Sequence, residues 1–328
     1  MIKKIRWGIL GTGSIAHQFA RGLRAAEGAE LSAVGSRAAK TAEAFGNEFD
    51  IPRRHATYEA LASDPEVDAI YVATPHPMHK ECTLLSLNHG KAVLCEKPFA
   101  VNVREAAEMV KTARDKKLFL MEAMWTRFIP VVVKAREWVR QGKIGEVRML
   151  QSDFGFRAGW DETSRLLDPK FAGGALLDVG IYPIALAYFF LGGGPQRIVS
   201  TATLGDTGVD EQNAIVFEYA SGALALLSSA VRTNTQQEAF ILGTEGNIKL
   251  HAPFWKATKA TLTVDGKGEE TCEIPHKGNG YEYEAEEVMQ CMRAGRLESP
   301  VIPLDETLAM METMDAIRAQ WGMKYPFE

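Results

Sequence analysis

Residues 11–16 of this 328-residue chain, Gly11-Thr12-Gly13-Ser14-Ile15-Ala16, fit the pattern G-x-G-x-x-G/A. They follow the apolar run Ile5–Leu10. They open a segment in which Ile15, Phe19, Ala20 and Leu23 recur at helical spacing. In that setting the first glycine permits a tight turn and the second lets the backbone approach a pyrophosphate. The small third residue lets the helix pack close to the strand. Backbone N–H groups at the helix start then face the anion. The chemistry expected of Gly11, Thr12, Gly13, Ser14 and Ile15 is therefore the holding of a dinucleotide. No Gly-Lys-Ser/Thr follows, which excludes a P-loop.

The choice of dinucleotide is read at the end of the second strand. An NAD site places Asp or Glu there for the ribose hydroxyls. Here the residues are Gly35-Ser36-Arg37. Arg37 can pair with a 2′-phosphate and stack on an adenine, and Ser36 adds a hydroxyl donor. The cofactor predicted is NADP(H).

Two further groupings carry reactive side chains. Glu96-Lys97-Pro98 follows the strand-like run Ala92–Cys95, at the sheet edge where ligands bind in open α/β folds. Residues 173–183, Gly-Gly-Ala-Leu-Leu-Asp-Val-Gly-Ile-Tyr-Pro, open a long apolar helix; in it Asp178 and Tyr182 are four apart and share one face. Phe154, Phe156, Trp160 and Trp255 suit either an aromatic pocket wall or ordinary core. His76 and His79 could be misread as a metal pair, but no third ligand is near in sequence, and no metal is expected.

The elements that position these residues fall into two patterns. Up to about Met121, short β-like runs alternate with amphipathic segments: strands at Ala29–Ser36, Asp68–Ala73, Ala92–Cys95 and Leu118–Met121, helices near Pro77–Asn88 and Val103–Lys116, and a helix around Thr41–Glu48. That rhythm means a doubly wound parallel sheet, a Rossmann domain placed at residues 1–122. Beyond it come a helix at Pro130–Gln141 and alternating runs at Gln196–Thr203, Asn213–Tyr219, Ala223–Val231, Ala239–Thr244 and Asn247–Leu250. These predict an α+β domain, residues 123–328, with a large mainly antiparallel sheet, closed by helices near Tyr281–Arg293 and Asp305–Gln320. The fold class is α/β.

Composition limits the alternatives. Lys and Arg number 37 against 42 Asp and Glu, a net charge of −5, so no basic field invites nucleic acid. The four cysteines, Cys82, Cys95, Cys272 and Cys291, match no zinc spacing and read as free thiols of a reducing compartment. Met1-Ile2-Lys3-Lys4 leads straight into the first strand without a signal-peptide pattern. The longest apolar stretch, residues 181–191, is shorter than the ~20 residues a bilayer span needs. A cytoplasmic protein without membrane partners is expected.

Taken together, Gly11–Ala16, Thr74-Pro75 with His79, Glu96-Lys97-Pro98 and the Gly173–Tyr182 segment resemble the Gfo/Idh/MocA oxidoreductases over essentially the whole chain. Residues 121–128, Met-Glu-Ala-Met-Trp-Thr-Arg-Phe, are similar to the branch of dimeric dihydrodiol dehydrogenases and NADP-dependent sugar dehydrogenases. The resemblance implies that Lys97 is the catalytic lysine, that Asp178 contacts substrate and that the Lys97–Pro98 peptide is cis. Thr74, Pro75, His79 and Glu96 would lie at the cofactor edge. Trp125 and Arg127 would lie at the domain junction near nicotinamide or substrate, and Phe154 against the substrate. Tyr182 stands where many members have His, which departs from the inositol dehydrogenases and suits members that use Tyr as the proton donor. The activity implied is hydride transfer between the nicotinamide and an alcohol or carbonyl, with Tyr182 exchanging the proton. Lys97 would favour the phenolate and stabilise the developing oxyanion. A sugar or cyclic polyol is the substrate expected; a trans-dihydrodiol is the alternative. The resemblance also implies a homodimer or homotetramer through the C-terminal sheet. A protein that senses NADP(H) without catalysis is the competing class, opposed by the intact Lys97, Asp178 and Tyr182.

Overall fold

The computed structural model describes residues 3–328; Met1 and Ile2 lie outside the described residues. The chain forms two compact units. The first comprises residues 3–125 and Lys277–Leu308, the second Thr126–His276 and Ala309–Glu328.

In the first unit six parallel strands, β1 (Ile5–Leu10), β2 (Ala29–Gly35), β3 (Arg53–His55), β4 (Ala69–Val72), β5 (Ala92–Glu96) and β6 (Leu120–Ala123), lie in the order β3-β2-β1-β4-β5-β6. Strands β4, β5 and β6 are buried throughout, as a sheet covered on both faces requires. Register aligns their ends: Leu10 pairs with Gly35 and Val72, Val72 with Cys95, and Cys95 with Glu122. Gly11, Ser36, Ala73 and Glu96 therefore emerge along one carboxyl edge. The strand order reverses between β1 and β4, the switch point at which such sheets bind ligands. Helix α1 (Ser14–Leu23) follows β1 directly; α2 (Ala39–Phe49), α3 (Tyr58–Ala62), α4 (His79–Asn88) and α5 (Val103–Lys116) complete the winding.

A sequence boundary at residue 122 with one domain beyond it differs from the observed division, because Lys277–Leu308 joins the Rossmann unit. Its helix α8 (Glu282–Arg293) lies over α1, where Gly22 leaves room: a Cβ there would meet Asn279 Oδ1 at 2.5 Å and Tyr281 Cβ at 2.8 Å. Leu120 N–H donates to Leu297 O at 3.1 Å, extending the β6 edge. The Thr307 hydroxyl donates to Glu122 Oε2 at 3.2 Å. Numbering α6 (Pro130–Arg140) and α7 (Ile181–Ala187) in the second unit, the last helix is α9 (Leu304–Gln320), which the two units divide at Leu308.

The second unit is built on eight strands, β7 (Val147–Gly155), β8 (Arg197–Leu204), β9 (Asp210–Glu218), β10 (Leu224–Ala230), β11 (Ala239–Gly243), β12 (Gly246–Leu250), β13 (Lys259–Val264) and β14 (Gly268–Glu273), in the order β14-β13-β12-β11-β7-β10-β9-β8. All pairs are antiparallel except β7 with β10. One face carries α7, flanked by π turns at Leu176–Gly180 and Tyr188–Gly192. The helical stretch Pro169–Gly192 is long and apolar enough to cross a membrane, but 94% of its most apolar window is buried, so its apolarity is that of a core helix. On the opposite face Val199, Val216, Leu226, Gln151 and Phe240 stand in register across five strands, with Val199 and Leu226 exposed.

Candidate active site

In the first unit the carboxyl edge forms a cradle. Gly11 holds φ +107°, and a Cβ there would meet Ala73 O at 2.7 Å; Gly13 has open space on its Cβ side. Helix α1 starts with no side-chain cap on its free N–H groups and no acid in its first turn. That is an anion site left open by the sequence. The buried Ser36 hydroxyl lies 3.5 Å from Thr12 Oγ1 and 2.6 Å from Thr41 Oγ1. Beside it Arg37, Tyr58, Cys82 and the carboxylates Glu59 and Glu81 are among the residues that line a cavity of about 540 Å³. Burial pushes the Tyr58 phenol up against the lowering effect of Arg37, which also hydrogen-bonds it. These residues fit a dinucleotide: the open helix start for its pyrophosphate, and the cavity that Arg37 lines for its adenosine end.

The loops that follow β4 and β5 are tied together by His79. Its Nδ1 lies 2.8 Å from Pro98 O and its Nε2 2.9 Å from Thr74 O. Burial, with Lys97 adding to it, pulls the imidazole below its usual pKa. Both ring nitrogens face backbone carbonyls, so neither is offered to a metal. Among the described residues, no group of three or more His, Cys, Asp or Glu is arranged for one. The Lys97–Pro98 peptide is cis. Lys97 N–H donates to Glu96 Oε2 at 3.1 Å, and Tyr71 donates its hydroxyl to Glu96 Oε1. Below this pair sits Glu284 on α8, fully buried and without a hydrogen-bond partner among the described residues. Burial first, and Glu96 second, push its carboxyl well above the usual range. Trp125 ends the unit buried, stacked on Tyr281 with centroids 4.3 Å apart.

In the second unit Tyr182 and Asp178 are both buried, at 6% and 5% exposure, where the first π turn passes into α7. Such turns recur at functional sites. Asp178 Oδ1 is 2.7 Å from Arg165 Nη1. Tyr182 packs against Phe154 (5.3 Å) and Trp255 (6.2 Å), which stack on each other at 5.0 Å and 4°. Phe156 reaches the same cluster through Phe154. Trp160 is 48% exposed with Arg232 over its ring. Gln237 organises the wall: its N–H donates to Asp153 Oδ2, its amide to Gly155 O, and its Oε1 accepts from the Trp255 indole. Arg127, expected at the domain junction near nicotinamide or substrate, lies two residues past the end of the first unit's leading segment and is buried in the second unit. It is 2% exposed, donates to Ala185 O at 3.0 Å and lies over the Phe189 ring, bracing α7.

Of the residues expected at the site, the structure places Gly11, Gly13, Ser36, Arg37, Thr74, Pro75, His79, Glu96 and Lys97 along one sheet edge, Phe154 and Tyr182 in one aromatic cluster, and Asp178 one helical turn before Tyr182 against Arg165. Arg165, Gln237 and Glu284 are not marked by any motif. Arg165 and Gln237 lie in irregular segments, where no periodicity marks a position. Glu284 occurs in the charged run Glu282-Tyr283-Glu284-Ala285-Glu286-Glu287, which reads as a solvated face.

Residues 5–124 match the family model "Oxidoreductase family, NAD-binding Rossmann fold", and residues 132–249 the "GFO/IDH/MocA C-terminal domain". The chain belongs to the Gfo/Idh/MocA oxidoreductase family. The trans-1,2-dihydrobenzene-1,2-diol dehydrogenase of Mus musculus is 38% identical over 98% of both chains. The aldose-aldose oxidoreductase of Caulobacter crescentus, solved with glycerol, superposes with a TM-score of 0.89 at 26% identity over 98% of both. A 3-ketoreductase from Actinomadura kijaniata, solved with NADP and TDP-benzene, gives 0.84 at 25% identity over 97% of this chain and 98% of that one. This Gfo/Idh/MocA protein is thus an oxidoreductase with a Rossmann domain for a nicotinamide dinucleotide.

Proposed function

We propose that the protein is an NADP(H)-dependent dehydrogenase or reductase that interconverts a secondary alcohol and a carbonyl on a sugar or cyclic polyol. The observation that carries it is the pair Asp178 and Tyr182, two buried polar groups set four residues apart, with Tyr182 against the Phe154–Trp255 stack and Asp178 against Arg165. A carboxylate suits substrate hydroxyls, and a phenol suits the proton that accompanies hydride transfer. NADP supplies the hydride chemistry when bound. Arg37 and Ser36 favour its 2′-phosphate over the bare ribose of NAD, since no acid stands at that strand end. Lys97 assists as the ammonium that stabilises the developing oxyanion.

A second reading, oxidation of a trans-dihydrodiol, is favoured by the flat Phe154–Trp255 stack beside Tyr182 and by the 38%-identical relative's name. One experiment separates them: initial rates on xylose, glucose, inositols and a trans-dihydrodiol, each with NADP⁺ and with NAD⁺. Lys97→Ala should lower kcat on the active substrate by about 10²–10⁴-fold while the Kd for NADP⁺ changes little. Near-wild-type kcat would reject the role of Lys97, and tight NADP⁺ binding without turnover on any compound would favour a sensor. Assembly belongs to the same reading. The exposed Val199 and Leu226 row on the open sheet face suits a second copy of the chain. Sedimentation should give a dimer or tetramer for the wild type and a monomer for Leu226→Lys; a wild-type monomer would sink this assignment.

A further inference from the structure

The helix that carries Asp178 and Tyr182 begins on a buried carboxylate that no motif marked. Asp210, at the start of β9, is fully buried. Its Oδ2 accepts Leu176 N–H at 2.8 Å and the Asn213 side-chain amide at 2.8 Å. Asn213 is turned that way by Ser229, whose hydroxyl donates to Asn213 Oδ1 at 3.0 Å. Asp210, Asn213 and Ser229 thus make a polar line under the first turns of the helix. Two glycines let the helix down onto both ends of that line. A Cβ on Gly174, whose φ is +113°, would sit 2.3 Å from Asp210 Oδ1, and one on Gly180 would sit 2.8 Å from Ser229 Oγ. From the chain's last segment Tyr325 donates to Gly173 O at 2.8 Å, holding the same entry turn.

We propose that Asp210 is a positioning residue: its carboxylate anchors the entry turn of this helix, and through the turn it sets where Asp178 and Tyr182 stand during the reaction. The inference rests on the assignment of Tyr182 above. The anchor is strongest when ionised, because a carboxylate accepts from a helix-start N–H through a charge-assisted bond aligned with the helix dipole. Burial pushes the Asp210 carboxyl up to about 7, against the lowering effect of Asn213, Leu176 N–H and Arg318. The groups facing it are therefore Leu176 N–H and Gly174 from the helix, Asn213 from β9, the Tyr325 phenol, and Arg318 on α9, which pairs with Asp315 and Glu328. The anchor consequently strengthens as pH rises through neutrality.

The test is the pH dependence of kcat between pH 5.5 and 9 for wild type, Asp210→Asn, Asp210→Ala and Tyr182→Phe, with hydrogen exchange of the 174–182 backbone followed in parallel. Asp210→Asn keeps an acceptor for Leu176 N–H but not the charge. It should fold, lose a kcat inflection near neutrality and run about 3–10-fold below wild type on the alkaline side. Its KM should stay close to wild type, and exchange at residues 174–182 should quicken. Asp210→Ala should fall further in kcat and exchange faster still. An Asp210→Asn profile and exchange pattern that superpose on wild type would overturn the inference. A Tyr182→Phe variant with full kcat would instead overturn the assignment of Tyr182, and the exchange result would still report on the anchor.

Discussion

Asp178 is a buried carboxylate paired with an exposed guanidinium. It is 5% exposed, and Arg165, itself 59% exposed in its side chain, supplies the guanidinium at 2.7 Å. An exposed ion pair contributes little, but removing a charged partner of a buried carboxylate weakens the compensation of that charge. The consequence should be read in catalysis, because Asp178 is the proposed contact to substrate hydroxyls. Arg165→Ala should lower kcat/KM by about 10–100-fold with the Kd for NADP⁺ changed little, and Arg165→Lys should recover part of the loss. Steady-state kinetics alongside a fluorescence titration of NADP⁺ would check it. Unchanged kcat/KM would mean that Asp178 is satisfied by other means. Arg37 and Arg165 differ instructively in legibility. Arg37 could be read because a strand end fixes its position. Arg165 sits in an irregular loop and becomes visible only once that loop folds over residue 178.

At the scale of elements, the sequence conveyed periodicity well and closure poorly. Strand β1 and helix α5 match their expected bounds, since a long buried run and a clean amphipathic face each identify themselves. Three-residue β3 was unseen: Arg53-Arg54-His55 is polar, on the sheet edge, with Arg53 and His55 turned to Asp64. Strands β13 and β14 were missed for a related reason, as β14 is an exposed, charged edge strand. Strand β7 was overlooked although it is the centre of the second sheet. Its burial alternates through Met149, Gln151 and Asp153, and no turn dipeptide announces it. The assignment of α8 to the second domain failed because contact across 260 residues leaves no local signature; Asn279 reaches Gln18 O at 2.9 Å. Gly22 tests that closure. Gly22→Leu should cost about 1–3 kcal/mol, because the added side chain meets Asn279 and Tyr281 on the approaching segment. Urea unfolding followed by Trp fluorescence would measure it, and an unaffected midpoint would show that this contact is not tightly packed.

For the molecule as a whole, buried carboxyls divide into two sets that respond oppositely to pH. Burial alone would raise Asp64, but Arg53, the Glu66 N–H and His55 hold it well below the usual range. Its folded pKa is depressed, so its contribution is present above about pH 4 and is lost as pH falls. Glu284 belongs to the other set. Its folded pKa lies well above the ordinary 4.5. The folded chain then keeps a proton that the unfolded chain releases, so stability is full below pH 4.5 and declines as pH rises toward the folded value, by up to about 1.4 kcal/mol per pH unit. Asp210 adds a decline of the same sign that ends near its own pKa of about 7. Stability should therefore peak in mildly acidic solution, with the slope above that set by the buried acids Glu284 and Asp210. Glu284→Gln isolates one of them. The amide is neutral at every pH and nearly the same shape, so the variant should melt higher than wild type at pH 8, and the difference should shrink steadily toward pH 5. Calorimetric Tm values at pH 5, 6, 7 and 8 would measure it. A pH-independent difference, or a variant less stable at pH 8, would mean that Glu284 is ionised in the folded chain.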